Sequence, residues 1–217
     1  MMVTKLSRTI LAVALLGAVF STQPVVVNGS TQAARAVGFA QKPDCRQQRA
    51  FCSALPNFGQ VTPTLYRGGQ PRREGYAELQ KLGVTTVVNL RNDEDEVSEE
   101  KKRVEALGMR FVNLPWSGWD RPDSKQVAAF LRLLHANPAQ KVFVHCRRGA
   151  ERTGVMVAAY RIAAQGWTPG QALEEMEEFK FRGLWFGHLK RYVLRLPELL
   201  GSDPDFRALV PTRVPTP

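Results

Sequence analysis

Long apolar runs are missing. The longest in the 217 residues is ILAVALLGAVF, eleven residues at positions 10–20. That is too short to span a bilayer comfortably, which takes about 20 residues, and it fits the apolar centre of a secretory signal. Acidic residues are absent before it, where residues 1–9 carry Lys5 and Arg8. No cysteine follows it closely, which argues against a lipoprotein anchor. Ala34-Arg35-Ala36 is a small-x-small cleavage candidate, and sites nearer Ser21 also fit. The expectation is an exported protein, periplasmic or secreted, with residues 1–36 as signal peptide and no stable membrane span after processing. The alternative is an N-terminal anchor left uncleaved.

Cysteine is also scarce, with three in the chain. Cys45 and Cys52 lie close together and Cys146 far away. In an oxidising compartment the first two can pair and leave one odd thiol; the other reading leaves all three reduced or partly buried. Basic residues outnumber acidic ones, for a net charge of +10 and a pI near 9.9. That favours anionic partners. Lys and Arg are spread along the chain rather than clustered with aromatics, so nucleic acid is not an expected partner. No internal repeat is visible.

What is present suits one globular domain with extra segments at its ends: 44% hydrophobic and 23% charged residues. Residues 37–54 show no sustained period and read as a linker or arm. From about Leu55 strand and helix patterns alternate. TLYRGGQP (64–71), VTTVVNL (84–90), MRFVNLP (109–115) and KVFVH (141–145) read as strands. RREGYAELQKLG (72–83), EDEVSEEKKRVEALG (94–108) and DSKQVAAFLRLLHAN (123–137) read as helices, the last opened by Asp123 and Gln126 as a capping box. TGVMVAAYRIAAQG (153–166), TPGQALEEMEEF (168–179) and HLKRYVLRLPELL (188–200) continue the series, with Thr168 as N-cap and Pro169 at the first helical position. Alternation of this kind predicts an α/β fold: a central, mostly parallel sheet flanked by helices on both faces, over residues 55–200. The Pro-rich residues 201–217 form an expected frayed tail.

VFVHCRRGAERTGV (142–155) stands apart. An apolar strand ends in His145-Cys146, passes through arginines and a glycine, and enters a helix near Arg152. In an open α/β sheet, ligands bind beyond the carboxyl ends of the strands. Free N–H groups and the helix dipole there favour an anion and the thiolate form of a cysteine. Gly149 permits a tight curl whose N–H groups turn inward. Arg152 can hold two oxygens of a tetrahedral anion in its planar fork, and Thr153 can donate its hydroxyl to the sulfur. Singly, a cysteine at a strand end is usually a small buried hydrophobe and an arginine pair a solvated surface. The joint spacing Cys-x5-Arg-Thr-Gly between a strand and a helix is far more specific.

HCRRGAERTG resembles the signature loop of the cysteine-dependent protein tyrosine and dual-specificity phosphatases, His-Cys-x5-Arg-Ser/Thr. LYRGGQP, GVTTVVNLR and the elements that follow run in the order of the small dual-specificity-like enzymes, over about residues 55–195. The resemblance implies a metal-independent, cofactor-free phosphoester hydrolase. Cys146 would form a phosphocysteine that water then hydrolyses. Arg152 and the loop backbone, from Arg147, Arg148, Gly149, Ala150 and Glu151 to Thr153, would bind the phosphate. His145 would orient the loop.

The family also needs a general acid on an upstream loop. PWSGWDRPDS (115–124) is that loop by position, with Asp120 the choice, since Asp123 is explained as a helix cap. Glu151 is the other candidate, because related families carry an acid just before the loop arginine; its structural role would be an ion pair that steadies the loop. Trp116 and Trp119 would either wall the pocket or pack the acid loop down.

The expected partner is a phosphorylated substrate, phosphotyrosine first. Arg147 and Arg148 raise the alternative of an inositol phosphate or phospholipid, or else balance Glu151. A rhodanese-type sulfurtransferase loop is one residue shorter between Cys and Arg and fits less well. A phosphate-binding pseudoenzyme is opposed by the presence of Cys146, Arg152 and Thr153 together.

Overall fold

The strand that ends at the signature loop, β5 below, is buried along its whole length, and its side chains divide between two cores. Val142 and Val144 join one apolar cluster and Phe143 the other. Only a strand covered on both faces alternates this way between two apolar environments. The computed structural model describes residues 38–207. The expected signal segment 1–36 and the end of the Pro-rich tail lie outside the described residues.

The strands are β1 (Gly59–Gln60), β2 (Leu65–Gly68), β3 (Thr86–Asn89), β4 (Arg110–Asn113) and β5 (Val142–His145). They form one sheet in the order β1-β2-β5-β3-β4, antiparallel between β1 and β2 and parallel elsewhere. The latest strand in the chain is thus inserted at the centre. Its register pairs His145 with Gly68 on one side and with Asn89 on the other. The ends of β2 and β3 therefore flank the start of the loop at Cys146.

Eight helices complete the described residues: α1 (Arg49–Ala54), α2 (Gly75–Lys81), α3 (Glu94–Ala106), α4 (Ser124–Ala136), α5 (Glu151–Gln165), α6 (Pro169–Glu178), α7 (Gly187–Ser202) and α8 (Pro204–Arg207). One face of the sheet is covered from α2 and α3, with Tyr76, Leu79 and Val104 against Val87 and Phe143. The other is covered from α4 to α7, with Phe130, Val155, Met156, Leu173 and Leu189 against Val88 and Val144. Local signals place the helix ends. Both halves of the capping boxes Asp123–Gln126 and Thr168–Gln171 are formed, and Pro169 opens α6. Gly166 closes α5 in the left-handed conformation, φ 68°.

The two end segments take definite form. Of the two readings of residues 38–54, the arm fits: the segment is mostly exposed, with Ala40 and Ala54 buried, and is tied to the domain. It carries α1 and a disulfide between Cys45 and Cys52, and Gln41 bridges Gln60 of β1. Ala40 N–H donates to Glu175 Oε1 at 2.7 Å. That carboxylate is already in a buried ion pair with Arg161, Nη2 to Oε1 at 2.5 Å, and Arg161 Nη2 also donates to Gly38 O at 3.3 Å. The arm is held by charge-assisted bonds to α5 and α6. At the other end α7 runs through Pro197 to Ser202, and Phe206 of α8 is buried in the larger core, so order continues past the expected start of fraying at Gly201.

Candidate active site

Cys146 is the first residue past the central strand and is 2% exposed. The chain then curls back at Gly149, φ +71°, whose N–H donates to Cys146 Sγ at 3.3 Å. A Cβ on Gly149 would lie 2.4 Å from Gly68 C and 2.5 Å from Gly69 N. Glycine is required there both for its backbone angle and for the approach of the β2 end. The curl is tied to its neighbours by Gln70 N–H to Arg147 O (3.2 Å) and Leu90 N–H to His145 O (2.9 Å). Ala150 caps α5 and Glu151 opens it, so the loop ends on free N–H groups as the spacing predicted.

A pocket of about 330 Å³ opens above the thiol. Cys146, Arg147, Arg148, Glu151 and Arg152 line it from the loop. Ser117, Gly118 and Trp119 line it from the upstream loop, with Asn92 and Phe186. Arg152 Nη1 donates to Leu90 O and to Trp116 O, both at 3.0 Å. One guanidinium thus joins the signature loop, the β3 end and the upstream loop 115–124. Burial lowers the Arg152 pKa, and Cys146 opposes that shift. Trp116 is buried and packs the loop down, whereas Trp119 lines the pocket, 76% exposed and stacked on Phe186 with centroids 5.5 Å apart.

The two acid candidates separate. Glu151 is buried at the pocket wall, between Arg148 Nη2 at 3.3 Å and Arg182 Nε at 3.8 Å. Asp120 follows the lining residues Ser117 to Trp119, is exposed, and donates its N–H to Ser117 O at 3.2 Å. Its side chain is not among those lining the pocket. Thr153 is fully buried and its hydroxyl donates to Gly68 O at 3.4 Å. It ties the loop to β2 instead of meeting the sulfur as expected.

Beneath the loop lies a polar layer that the sequence pattern did not reveal. His145 Nδ1 is 3.3 Å from Cys146 O, and its Nε2 is 3.0 Å from Glu100 Oε1. Glu100, on α3, also accepts from Tyr76 OH at 2.9 Å and from Asn89 Nδ2 at 2.5 Å. Burial would raise the Glu100 carboxyl, but the His145 charge and hydrogen bonding from His145, Tyr76 and Gln70 hold it below the usual range. The Tyr76 hydroxyl is pushed up by burial and by Glu100. Gln70 Nε2 donates to that hydroxyl at 2.7 Å and Arg91 Nη1 to Gln70 Oε1 at 2.6 Å, which carries the network to Arg91, the chain neighbour of the pocket-lining Asn92.

Arg67 was also missed. It sits on β2, is 0% exposed, and donates from Nη2 to Gly149 O at 3.0 Å. Its guanidinium lies 3.8 Å over the Phe179 ring. Burial pushes its pKa down to about 10, against the opposing pull of Glu175 and Cys146. Nε and Nη1 have no hydrogen-bond partner. The signal was the Arg of LYRGG: a charged residue in an otherwise apolar strand is almost never buried without a task.

A family model described as "DSP-PTPase phosphatase fused to NAD+ Kinase" matches residues 53–184. The dual specificity protein phosphatase TpbA of Pseudomonas aeruginosa is 39% identical over 126 residues, 58% of this chain and 55% of that protein. The chain therefore spans about half the length of the curated relatives it matches first. The crystal structure of P. aeruginosa TpbA in complex with pTyr is 32% identical, with a TM-score of 0.61 over 76% of this chain and 95% of the other. The core catalytic domain of the PP-IP phosphatase SIW14 from S. cerevisiae, 21% identical over 68% of this chain and 92% of its own, shares the fold with a TM-score of 0.56. A match that takes in the signature loop, the sheet around it and most of the covering helices makes the chain a member of the DSP-PTPase phosphatase family.

Proposed function

We propose that the chain is a metal-independent cysteine phosphatase that hydrolyses phosphoesters through a phosphocysteine, with phosphotyrosine as the favoured substrate and dual specificity within reach of the pocket. The observation that carries this reading is the position of Cys146 Sγ. It lies at the base of a pocket, with the Gly149 N–H at 3.3 Å and the Arg152 guanidinium on the pocket wall.

In the first step Cys146 Sγ attacks phosphorus: the S–P bond forms, the ester P–O bond breaks, and the leaving oxygen takes a proton from the acid. In the second, water attacks phosphorus and gives a proton to the same carboxylate; the new P–O bond forms, the S–P bond breaks, Cys146 leaves as the thiolate and inorganic phosphate is released. Arg152 and the loop N–H groups hold the equatorial oxygens throughout. Asp120 is the acid in this scheme, because its loop forms the pocket rim and is bonded to Arg152 through Trp116 O. Glu151, between Arg148 and Arg182, steadies the loop.

A second reading, an inositol phosphate or another polyanion, is favoured by one observation. Arg147, Arg148, Lys180 and Arg182 line a pocket that adjoins the first. The apolar run at 10–20, preceded by Lys5 and Arg8, supports export as the setting. The test is p-nitrophenyl phosphate hydrolysis by reduced protein. Activity inhibited by vanadate and unaffected by chelator is the expected outcome. No activity, or activity lost with chelator, overturns the reading.

A further inference from the structure

The turn between α6 and α7 holds two large apolar side chains in solvent. Leu184 is 101% exposed and Trp185 77%. The turn is ordered, with the Trp185 and Phe186 N–H groups both donating to Arg182 O at 3.0 and 3.1 Å. Phe186, the next residue, lines the catalytic pocket and stacks on Trp119. Of the three most exposed large apolar side chains among the described residues, Trp119 lines the pocket, while Leu184 and Trp185 stand outside its lining, just before Phe186 in the chain.

The same rim is cationic. Arg147, Arg148, Lys180 and Arg182 are exposed; Asp120 is exposed on the adjoining loop, and Glu151 is buried between two arginines. A groove that binds a peptide presents concave apolar walls. Leu184 and Trp185 form a convex tip instead, which suits a yielding apolar medium. Tryptophan, with basic side chains beside it, belongs to the set that settles at a bilayer interface, and phospholipid headgroups of negative charge attract the arginines and lysine.

We propose that this rim docks the protein onto the surface of an anionic phospholipid bilayer. Leu184 and Trp185 enter at headgroup level, the four cations meet lipid phosphates, and the catalytic pocket faces the membrane plane. Docking needs no turnover, so its failure and the failure of the phosphatase reading are distinguishable.

The experiment is co-sedimentation with phosphatidylcholine vesicles, with and without phosphatidylglycerol, over a salt series. It compares the wild-type chain with Leu184→Ser/Trp185→Ser. Both carry the same residues 10–20, so binding through that run cancels in the comparison. The wild type is expected to prefer phosphatidylglycerol vesicles and to detach as salt rises. The double variant is expected to lose at least about tenfold in partition while hydrolysing p-nitrophenyl phosphate as the wild type does, which also reports its folding. Equal partition of the two proteins, or no preference for anionic vesicles, overturns the proposal. So does unchanged vesicle binding with a raised KM for a phosphotyrosine peptide, which would assign the tip to peptide docking.

Discussion

His145 and Glu100 face each other under the signature loop, with Nε2 3.0 Å from Oε1 and both side chains buried. The pair joins the strand that delivers Cys146 to α3 on the far face of the sheet. Burial would raise its carboxylate, but the His145 charge and hydrogen bonding from His145, Tyr76 and Gln70 hold it below the ordinary value of 4.5. A carboxyl with a depressed folded value contributes stability that is present above its unfolded pKa and is lost as pH falls through the folded one. Glu100→Gln is therefore expected to cost about 1–3 kcal/mol at pH 7, with the gap from wild type narrowing as pH drops below the glutamate range. Urea unfolding of both proteins across acid pH checks this. A gap that stays constant through that range would contradict it.

Gly149 is the closest approach between the loop and β2. Its φ of +71° and the 2.4 Å from a built Cβ to Gly68 C leave no room for a methyl group. Gly149→Ala should lift the loop from β2, break the Arg67 bond to Gly149 O and turn the N–H away from Sγ. Displacement of about 1 Å at a reacting centre is worth roughly a hundredfold in rate, and kcat/KM on p-nitrophenyl phosphate should fall by at least about that factor. Wild-type kinetics in the alanine variant would show that the curl is not needed.

The acid loop gives a prediction that depends on the leaving group. Asp120→Asn should slow phenyl phosphate turnover by about a hundredfold or more, and p-nitrophenyl phosphate much less, because p-nitrophenolate leaves without a proton. The two substrates are compared at one pH. Equal losses on both would remove Asp120 from the acid role, and a selective loss in Glu151→Gln instead would transfer it.

The sheet and the loop were legible in the chain because their signals are local. VTTVVNL and KVFVH are apolar from end to end, as strands buried on both faces must be, and the strand–Cys-x5-Arg–helix spacing lies within fourteen residues. The polar layer was not legible. Glu100 lies within the charged run EDEVSEEKKR; its one signal is its place on the Val97–Val104–Leu107 face of the helix, and only the docking of α3 brings that face to His145. Arg67 stands out as a charge in an apolar strand, but its partner, Gly149 O, lies 82 positions away and is visible only in the fold. The arm at 38–54 lacks periodicity because its order comes from contacts more than a hundred residues distant, at Arg161 and Glu175. Thr153 shows the same limit on a small scale: its type and place were right for the sulfur, and the β2 carbonyl of Gly68 lies in reach of its hydroxyl.

The central claim is that Cys146 carries the phosphoryl group during turnover. Rapid acid quench of wild-type protein mixed with p-nitrophenyl phosphate, followed by peptide mass mapping, tests it most directly. One phosphoryl group on the peptide containing Cys146, absent in Cys146→Ser and accumulating in a variant slowed at hydrolysis, is the result the account predicts. Hydrolysis that proceeds with no phosphoryl group on Cys146, or that survives in Cys146→Ser, would contradict it.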